Sequence, residues 1–231
     1  MLQRKALKIV LDVSKRTPNE IVNVESGCHN LKPSIYKRQL KFFHKIKQDC
    51  RENPDTTVSA ILKLGIDSNT QFLRHYKKLD EKFASPQECF EHHLNEHKQQ
   101  IELKIHQKFT ADPDSILGTY HRVNPNLEVP EYNAKIVCHE SDRRTITRYR
   151  TGCHMLRIQA GRLTGERRDA RLCNCRRDVQ TLHHVLFSCL MTEHIRLAQR
   201  LEHTTIQQFF QDVDFTKIAT MLKAVAKQLK V

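Results

Sequence analysis

Apolar residues recur along most of this chain at intervals of three and four, the period of an amphipathic α-helix. The clearest start signal is Ser85, Pro86 and Glu88, which combine a capping hydroxyl, a proline at the first helical position and an acid three residues after the cap. The face that follows contains Phe90, Leu94, His97, Ile101, Ile105 and Phe109. The pattern therefore predicts a long helix from residue 86 to about residue 111.

The same period predicts further helices at 1–16, 34–52, 57–64, 69–83, 115–123, 141–151, 182–202 and 215–229. Side chains that accept a hydrogen bond from the first helical turn favour N-termini at Ser34, Asp114, Ser141 and Asp214. Three glycines predict turns over 152–170.

Two of these helices carry specific packing predictions. Helix 57–64 is expected to be buried through Val58, Ile61, Leu62 and Leu64. Helix 69–83 is expected to start at Asn69 and to contribute a core stripe of Phe72, Leu73, Tyr76, Leu79 and Phe83.

Three cysteines near the C-terminus have the spacing of metal ligands. One residue separates Cys173 from Cys175, and Cys189 follows the adjacent pair His183 and His184. Three thiolates and one imidazole complete a tetrahedral zinc shell with no open position, which is typical of a structural Zn²⁺ site. Either histidine is a candidate for the fourth ligand.

Residues 143–177 contain eleven arginines, no lysine and two acids, Glu166 and Asp169. Guanidinium groups bind phosphate in bidentate fashion and stack on bases. We therefore predict nucleic-acid contact by all eleven: Arg143, Arg144, Arg148, Arg150, Arg157, Arg162, Arg167, Arg168, Arg171, Arg176 and Arg177.

Composition supports a polyanionic partner. The 231 residues carry a formal net charge of +13, which favours RNA or DNA over a neutral ligand. No stretch approaches the roughly 18 apolar residues of a membrane-spanning helix, so no membrane association is expected. The N-terminus lacks the apolar segment of a signal peptide, and the eight cysteines are then expected to be reduced thiols in a cytoplasmic or nuclear protein.

Several short motifs in this region occur together in one protein family. They are Arg148-Tyr149-Arg150-Thr151-Gly152-Cys153-His154-Met155-Leu156, Gly161-Arg162, Arg171-Leu172-Cys173-Asn174-Cys175, Thr181-Leu182-His183-His184-Val185-Leu186-Phe187-Ser188-Cys189 and Arg196. This series resembles the C-terminal segment of LINE-type (non-LTR) retrotransposon reverse transcriptases. The stretches Glu25-x-Gly27 and Arg38–Phe42 also resemble the connector that follows the polymerase core of such enzymes.

The resemblance implies that Cys173, Cys175, His184 and Cys189 are the zinc ligands. It favours His184 over His183 because the interval to Cys189 matches the family. The sequence departs from the family at the first pair, where one residue rather than the usual two separates the cysteines. A shorter interval leaves less slack for both sulfurs to reach one ion.

The chemistry of the full-length family is not predicted here. Its polymerase holds two magnesium ions on paired aspartates, and no Asp-Asp pair occurs in these 231 residues. We therefore expect no enzymatic activity, although the parent family is an RNA-directed DNA polymerase. The alternatives are a metal-activated hydrolase, which needs an open metal position, and a protein-interaction module built on the helical bundle and the apolar seam at 215–229.

Together these patterns predict a mostly α protein in three segments. Residues 1–135 would form a helical, connector-like bundle, residues 136–203 an Arg-rich helix–turn segment with a small zinc knuckle, and residues 204–231 a C-terminal amphipathic helix. The expected function is non-catalytic binding of RNA or target DNA, with a separate reverse transcriptase core as a further candidate partner.

Overall fold

A computed structural model describes residues 2–67, 71–135, 138–200, 202–212 and 214–230. Within these residues the fold is mostly α, as predicted, and its thirteen α-helices are α1 (Leu2–Val10), α2 (Asn19–Ser26), α3 (Lys32–Glu52), α4 (Thr57–Asp67), α5 (Gln71–Lys82), α6 (Pro86–Ala111), α7 (Ile116–Val123), α8 (Glu131–Ala134), α9 (Glu140–Arg150), α10 (Arg157–Thr164), α11 (Glu193–Ala198), α12 (Ile206–Gln211) and α13 (Phe215–Leu229). One isolated antiparallel bridge joins Leu172 and Val179.

The described chain divides into two compact units. One contains residues 1–28 and 102–231, the other contains residues 29–101, and the division falls within α6. This differs from the predicted segments 1–135, 136–203 and 204–231. One contact within the first unit is a buried ion pair that joins α2, near the N-terminus, to α9 in the predicted Arg-rich segment.

Two of the predicted N-caps are confirmed, and at two other helices a neighbouring side chain takes the capping position. The Ser85 hydroxyl accepts from the backbone N–H of Glu88 at 3.1 Å, and Asp214 accepts from that of Lys217 at 2.9 Å, both as predicted. Ser115, rather than Asp114, caps α7 by accepting from Gly118 at 3.0 Å. The His139 ring, rather than Ser141, lies at the N-terminus of α9.

Other boundaries differ from the predictions. Helix α3 begins before Ser34, with Pro33 in its first turn. The segment 152–170 is not a chain of turns, since it contains α10, which ends at Gly165 in the left-handed conformation. The predicted helix 182–202 is broken into a π-helix, a 3-10 turn and α11.

Helices α9 and α13 pack together at the centre of the first unit. The phenol of Tyr149 donates to the carbonyl of Leu222 at 3.5 Å, and Lys223 forms an ion pair with Asp142 at 2.6 Å. The apolar residues of α13 are buried in this core: Ile218, Met221, Leu222, Val225 and Leu229. The seam at 215–229 is therefore occupied within the unit, which removes it as a docking surface for a partner.

A buried polar network lies beside this core. The side chains of Glu25 and Arg150 are 0% and 5% exposed and form an ion pair at 3.0 Å. The phenols of Tyr120 and Tyr132 donate to the two carboxylate oxygens of Glu25, each at 2.9 Å. Burial is the largest single influence and acts to lower the pKa of Arg150, but the Glu25 carboxylate together with the phenols of Tyr132 and Tyr120 outweighs it and raises that pKa. The Arg150 guanidinium is therefore charged inside the protein and depends on the Glu25 side chain beside it.

A second buried polar residue, His154, stacks on Tyr149 with the ring centroids 5.1 Å apart. Its Nδ1 accepts from the backbone N–H of Leu156 at 3.3 Å. Burial, and to a smaller extent the Arg162 guanidinium, lowers the pKa of His154 to about 3. The imidazole is therefore neutral in the folded protein at neutral pH.

This burial predicts acid sensitivity. Because the ordinary pKa of 6.5 returns on unfolding, the unfolded state binds more protons between about pH 6.5 and pH 3, and stability falls as pH falls through this window. At about 1.4 kcal/mol per pH unit, the loss due to His154 between pH 7 and pH 5 is about 2 kcal/mol. Urea unfolding at pH 7 and at pH 5 tests this prediction. Between these pH values, the free energy of unfolding of His154→Gln should fall by about 2 kcal/mol less than that of the wild-type protein.

The matched control is His194→Gln, which changes an exposed histidine and should keep the wild-type pH dependence. An unchanged pH dependence in His154→Gln would contradict the prediction.

The second unit has a smaller core, formed by Leu40, Leu79, Phe83 and Cys89 with Tyr36 against them. Tyr76 is also buried, so three members of the predicted stripe are confirmed. Asn69 and the side chains of Phe72 and Leu73 lie outside the described residues.

Helix α4 forms where it was expected, and Leu62 is half-buried, but the predicted burial of the other three apolar residues is wrong. Val58, Ile61 and Leu64 are 53%, 63% and 67% exposed. The apolar period predicts a helix, but it does not predict whether another element covers the apolar face. Helix α4 therefore leaves an apolar stripe on the surface.

Candidate metal centre

Residues 171–180 form a tight hairpin that presents the first two cysteines. The backbone N–H of Cys173 donates to the carbonyl of Asp178 at 2.8 Å, and that of Gln180 donates to Arg171 at 2.9 Å. The turn closes through a bond from Arg176 to Cys173 at 2.8 Å, with Arg176 in the left-handed conformation at φ 60°. This turn allows two cysteines separated by one residue to approach the same point.

The other two candidate ligands come from the π-helix His184–Ser188 and the residue after it. A π-turn closes through a bond between residues five apart, and here the Cys189 N–H donates to the His184 carbonyl at 2.8 Å. The Thr181 hydroxyl accepts from the His184 N–H at 3.1 Å and fixes the start of the turn. The wide turn returns Cys189 to the side of the segment that carries the His184 ring.

The hairpin and the π-turn bring Cys173, Cys175, His184 and Cys189 together, with one ligand atom from each lying within 4.8 Å of all the others. The Cys173 and Cys189 sulfurs are 3.6 Å apart, and the Cys175 sulfur is 3.2 Å from Nε2 of His184. A regular zinc tetrahedron has S–S edges of about 3.8 Å and S–N edges of about 3.5 Å, from bond lengths of about 2.3 and 2.0 Å. These four side chains could therefore hold a metal ion.

The structure distinguishes between the two adjacent histidines. His184 is buried among the sulfurs, whereas His183 is exposed and its ring lies 5.2 Å from that of Phe187. Burial lowers the pKa of His184, so its imidazole is in the neutral form that binds metals.

The thiols differ in their electrostatic surroundings. Burial raises the pKa of Cys173 to about 12. At Cys175 burial also acts upward, but hydrogen bonds to the sulfur, led by that of the Arg177 backbone N–H, lower its pKa below the ordinary value. A metal ion would bind the thiolates and displace the protons of these groups.

Three polar residues that sequence reasoning did not single out surround the cluster. Gln180 is fully buried, and its Oε1 accepts from the Arg157 N–H at 2.7 Å. The hydroxyl of Thr192 donates to the carbonyl of Val185 at 2.6 Å. Asp178 lies 3.9 Å from Nδ1 of His184. The first two hold the backbone that carries the ligands. Their only sequence signal is position, since Gln180 lies between two ligand residues and Thr192 lies three residues after Cys189.

Arg196, quoted above as part of the family resemblance, also supports the cluster. Its Nη1 donates to the carbonyl of Cys189 at 2.8 Å and to the hydroxyl of Thr192 at 3.1 Å. One guanidinium therefore joins the last ligand residue to the start of α11.

The eleven arginines do not share one environment. Seven are exposed: Arg144, Arg148, Arg157, Arg167, Arg168, Arg176 and Arg177. Arg143 and Arg162 are partly exposed. The prediction of nucleic-acid contact is corrected for Arg150, because this side chain is buried in the core in an ion pair with Glu25. Arg171 is partly buried and donates to the backbone carbonyls of Ile158 and Glu166, so its guanidinium supports the local fold.

Four of the exposed arginines form ion pairs, two of them with acids distant in sequence. Arg148 pairs with Asp12 at 2.7 Å and Arg168 with Asp114 at 2.9 Å. Arg144 pairs with Glu140, and Arg167 pairs with Asp169. Exposed pairs of this kind contribute little to stability and can exchange for a phosphate. Arg176 and Arg177 form no ion pair with any described residue.

A second group of possible ligands, His92, His93 and Glu96, lies on α6. The ammonium of Lys82 is 3.1 Å from Nε2 of His92, where it would repel a cation. This group is therefore a weaker metal site than the cluster of three thiols and His184.

Among the described residues, no helix combines the length and the apolar character needed to cross a membrane. A scan against protein-family models, a search of curated proteins and a search of solved structures gave no match. The resemblance to non-LTR reverse transcriptases therefore stays a prediction based on the motifs quoted above.

Proposed function

We propose that residues 143–196 form a nucleic-acid-binding segment stiffened by a structural zinc ion. The observation that carries the proposal is the convergence of Cys173, Cys175, His184 and Cys189, whose ligand atoms lie within 4.8 Å of one another. Three thiolates and one imidazole are a ligand set that zinc favours. Such a set fills all four positions, which supports a structural rather than a catalytic role.

The arginines around the cluster support nucleic acid as the partner. Arg176 and Arg177 lie in the hairpin that carries Cys173 and Cys175, and both are exposed. Holding that hairpin in place with a metal ion fixes two guanidinium groups on the surface. Arg144, Arg148, Arg157, Arg167 and Arg168 add further exposed positive charge.

The family resemblance suggests a more specific role. A segment of this kind would hold template RNA or target DNA for a polymerase core, without taking part in the chemistry. The seven exposed arginines and the partly exposed Arg143 suit phosphate contacts. Such contacts carry no sequence information by themselves. Sequence preference would then come from the polymerase or from bases that contact other residues.

Salt dependence tests the nucleic-acid part of this proposal. If about five arginines contact phosphate, log affinity for RNA against log salt should have a slope of about −3.5 to −4.5, at about 0.7 to 0.9 per contact. The Arg176→Ala/Arg177→Ala variant should reduce the magnitude of the slope by about 1.5. Fluorescence anisotropy with labelled single-stranded RNA over a salt series measures both values.

The control is Arg38→Ala/Arg51→Ala, which removes two exposed arginines from α3 in the other unit and should leave the slope unchanged. A flat salt dependence of the wild-type protein would contradict nucleic-acid binding through these arginines.

The exposed stripe of Val58, Ile61 and Leu64 on α4 supports a second candidate function, a protein-interaction module. Concentration-dependent association of the chain, with no retention of RNA, would favour this candidate over nucleic-acid binding.

A further inference from the structure

A pocket of about 550 Å³ opens beside the metal cluster. It is formed by the π-helical segment, by α11 and by the residues that follow α11. Its lining includes His183, Phe187, Arg196, Leu197, Arg200 and His203.

One part of the pocket is apolar and offers flat surfaces. The rings of His183 and Phe187 have centroids 5.2 Å apart and are tilted by 55°. Phe187 packs partly against the core, so its ring is held in position. Leu197 is 72% exposed, which leaves an apolar side chain at the rim without cover. Aromatic rings at a surface are the usual platform on which unpaired bases stack.

The other part of the pocket is positively charged. Arg196 is fixed by its bonds to the Cys189 carbonyl and the Thr192 hydroxyl. Neither Arg196 nor Arg200 forms an ion pair with a described carboxylate, and the described lining residues include no acid. Two guanidinium groups that form no ion pair with a described residue favour an anionic ligand such as a phosphate.

His203 adds an unsatisfied polar group. Its Nε2 lies 3.2 Å from the Asp212 carboxylate, while its Nδ1 is buried without a hydrogen-bond partner. Buried polar atoms are nearly always bonded, and an exception calls for a partner.

We infer that this pocket takes one unpaired nucleotide of a single-stranded nucleic acid. The base lies against Phe187 and Leu197, and the neighbouring phosphate contacts Arg196 and Arg200. The inference rests on the proposed function and adds the form of the strand. A base inside a duplex is paired and stacked on both sides. It must be extruded from the duplex before it can enter such a pocket, which costs a few kcal/mol.

The test uses the full chain loaded with zinc and a short single-stranded RNA that carries 2-aminopurine, whose fluorescence falls when the base stacks on an aromatic ring. We expect quenching on binding to the wild-type protein. Phe187→Leu keeps an apolar side chain against the core, so it should remove the quenching and weaken single-strand binding roughly 5- to 100-fold, the effect of one base–aromatic stack. Affinity for a duplex of the same sequence should not change.

Two further variants separate the pocket from general charge and from misfolding. Arg167→Ala removes an 85% exposed arginine outside the pocket and should weaken single-strand and duplex binding by the same factor. Leu197→Ser changes only the rim and should weaken single-strand binding without altering the zinc content. Zinc stoichiometry is measured for every variant, so loss of the metal centre is recognised directly.

The outcomes distinguish the two proposals. If wild-type protein binds RNA without quenching, or if Phe187→Leu and Leu197→Ser weaken single-strand and duplex binding equally, the pocket inference is overturned and nucleic-acid binding stands. If adenosine monophosphate binds as tightly as the oligomer, the pocket serves a free nucleotide and the strand inference is again overturned. If neither RNA form binds, the proposed function fails, and the pocket inference with it.

Discussion

Cys189→Ser is expected to lose the bound zinc and, with it, the ordered structure of residues 171–192. A serine hydroxyl is a poor substitute for a thiolate, and three remaining ligands leave one position open. Structural zinc contributes on the order of 10 kcal/mol in small zinc-binding peptides, which is comparable with the whole stability of a typical domain. Zinc stoichiometry should fall from one per chain to near zero.

Amide hydrogen exchange provides a second measurement. The Cys173 amide N–H donates to the Asp178 carbonyl in the hairpin. This amide should lose its protection from exchange in Cys189→Ser and in wild-type protein treated with a chelator. Cys28→Ser is the matched control because Cys28 is an exposed thiol outside the cluster, and it should retain full zinc. Equal zinc content in Cys189→Ser and wild-type protein would refute the assigned ligand set.

Glu25→Gln is expected to lower the free energy of unfolding by about 3–5 kcal/mol, the usual cost of removing one partner of a buried ion pair. The loss arises because the Arg150 guanidinium, 5% exposed, would remain charged in the core without a carboxylate. Arg150→Met should cost a similar amount, since it leaves the Glu25 carboxylate unpaired. Urea unfolding of both variants measures these losses.

The double variant Glu25→Gln/Arg150→Met tests the coupling. Its loss should be well below the sum of the two single losses, because neither charge is then left alone in the core. Asp12→Asn is the control: it breaks the exposed pair with Arg148 and should cost about 1 kcal/mol or less. Additive losses in the double variant would show that the two side chains act independently.

Local signals in the sequence were sufficient for part of this structure. Ser85 and Asp214 cap helices as predicted because a capping bond involves residues only three apart. The metal cluster could also be predicted, since thiol and imidazole spacing reflects the geometry of one ion. Spacing alone did not decide between His183 and His184; the π-turn and the burial of His184 did.

Contacts between distant residues were beyond such signals. Glu25 and Arg150 are 125 positions apart, and nothing near either residue predicts the pairing. Arg150 was therefore grouped with the surface arginines that surround it in sequence. Helix α4 shows the same limitation for burial. Its apolar period predicts a helix, but whether another element covers Val58 and Ile61 depends on distant residues.

The link between Glu25 and Arg150 has a practical consequence for work on the zinc-binding portion. A shorter polypeptide that starts at residue 136 would contain all four metal ligands yet lack the acid that neutralises Arg150. Such a fragment would still contain the zinc ligands, but the Arg150 guanidinium would lack its carboxylate partner. We expect the fragment to unfold or aggregate. Isolated peptides are therefore a poor substitute for the intact chain in any binding assay.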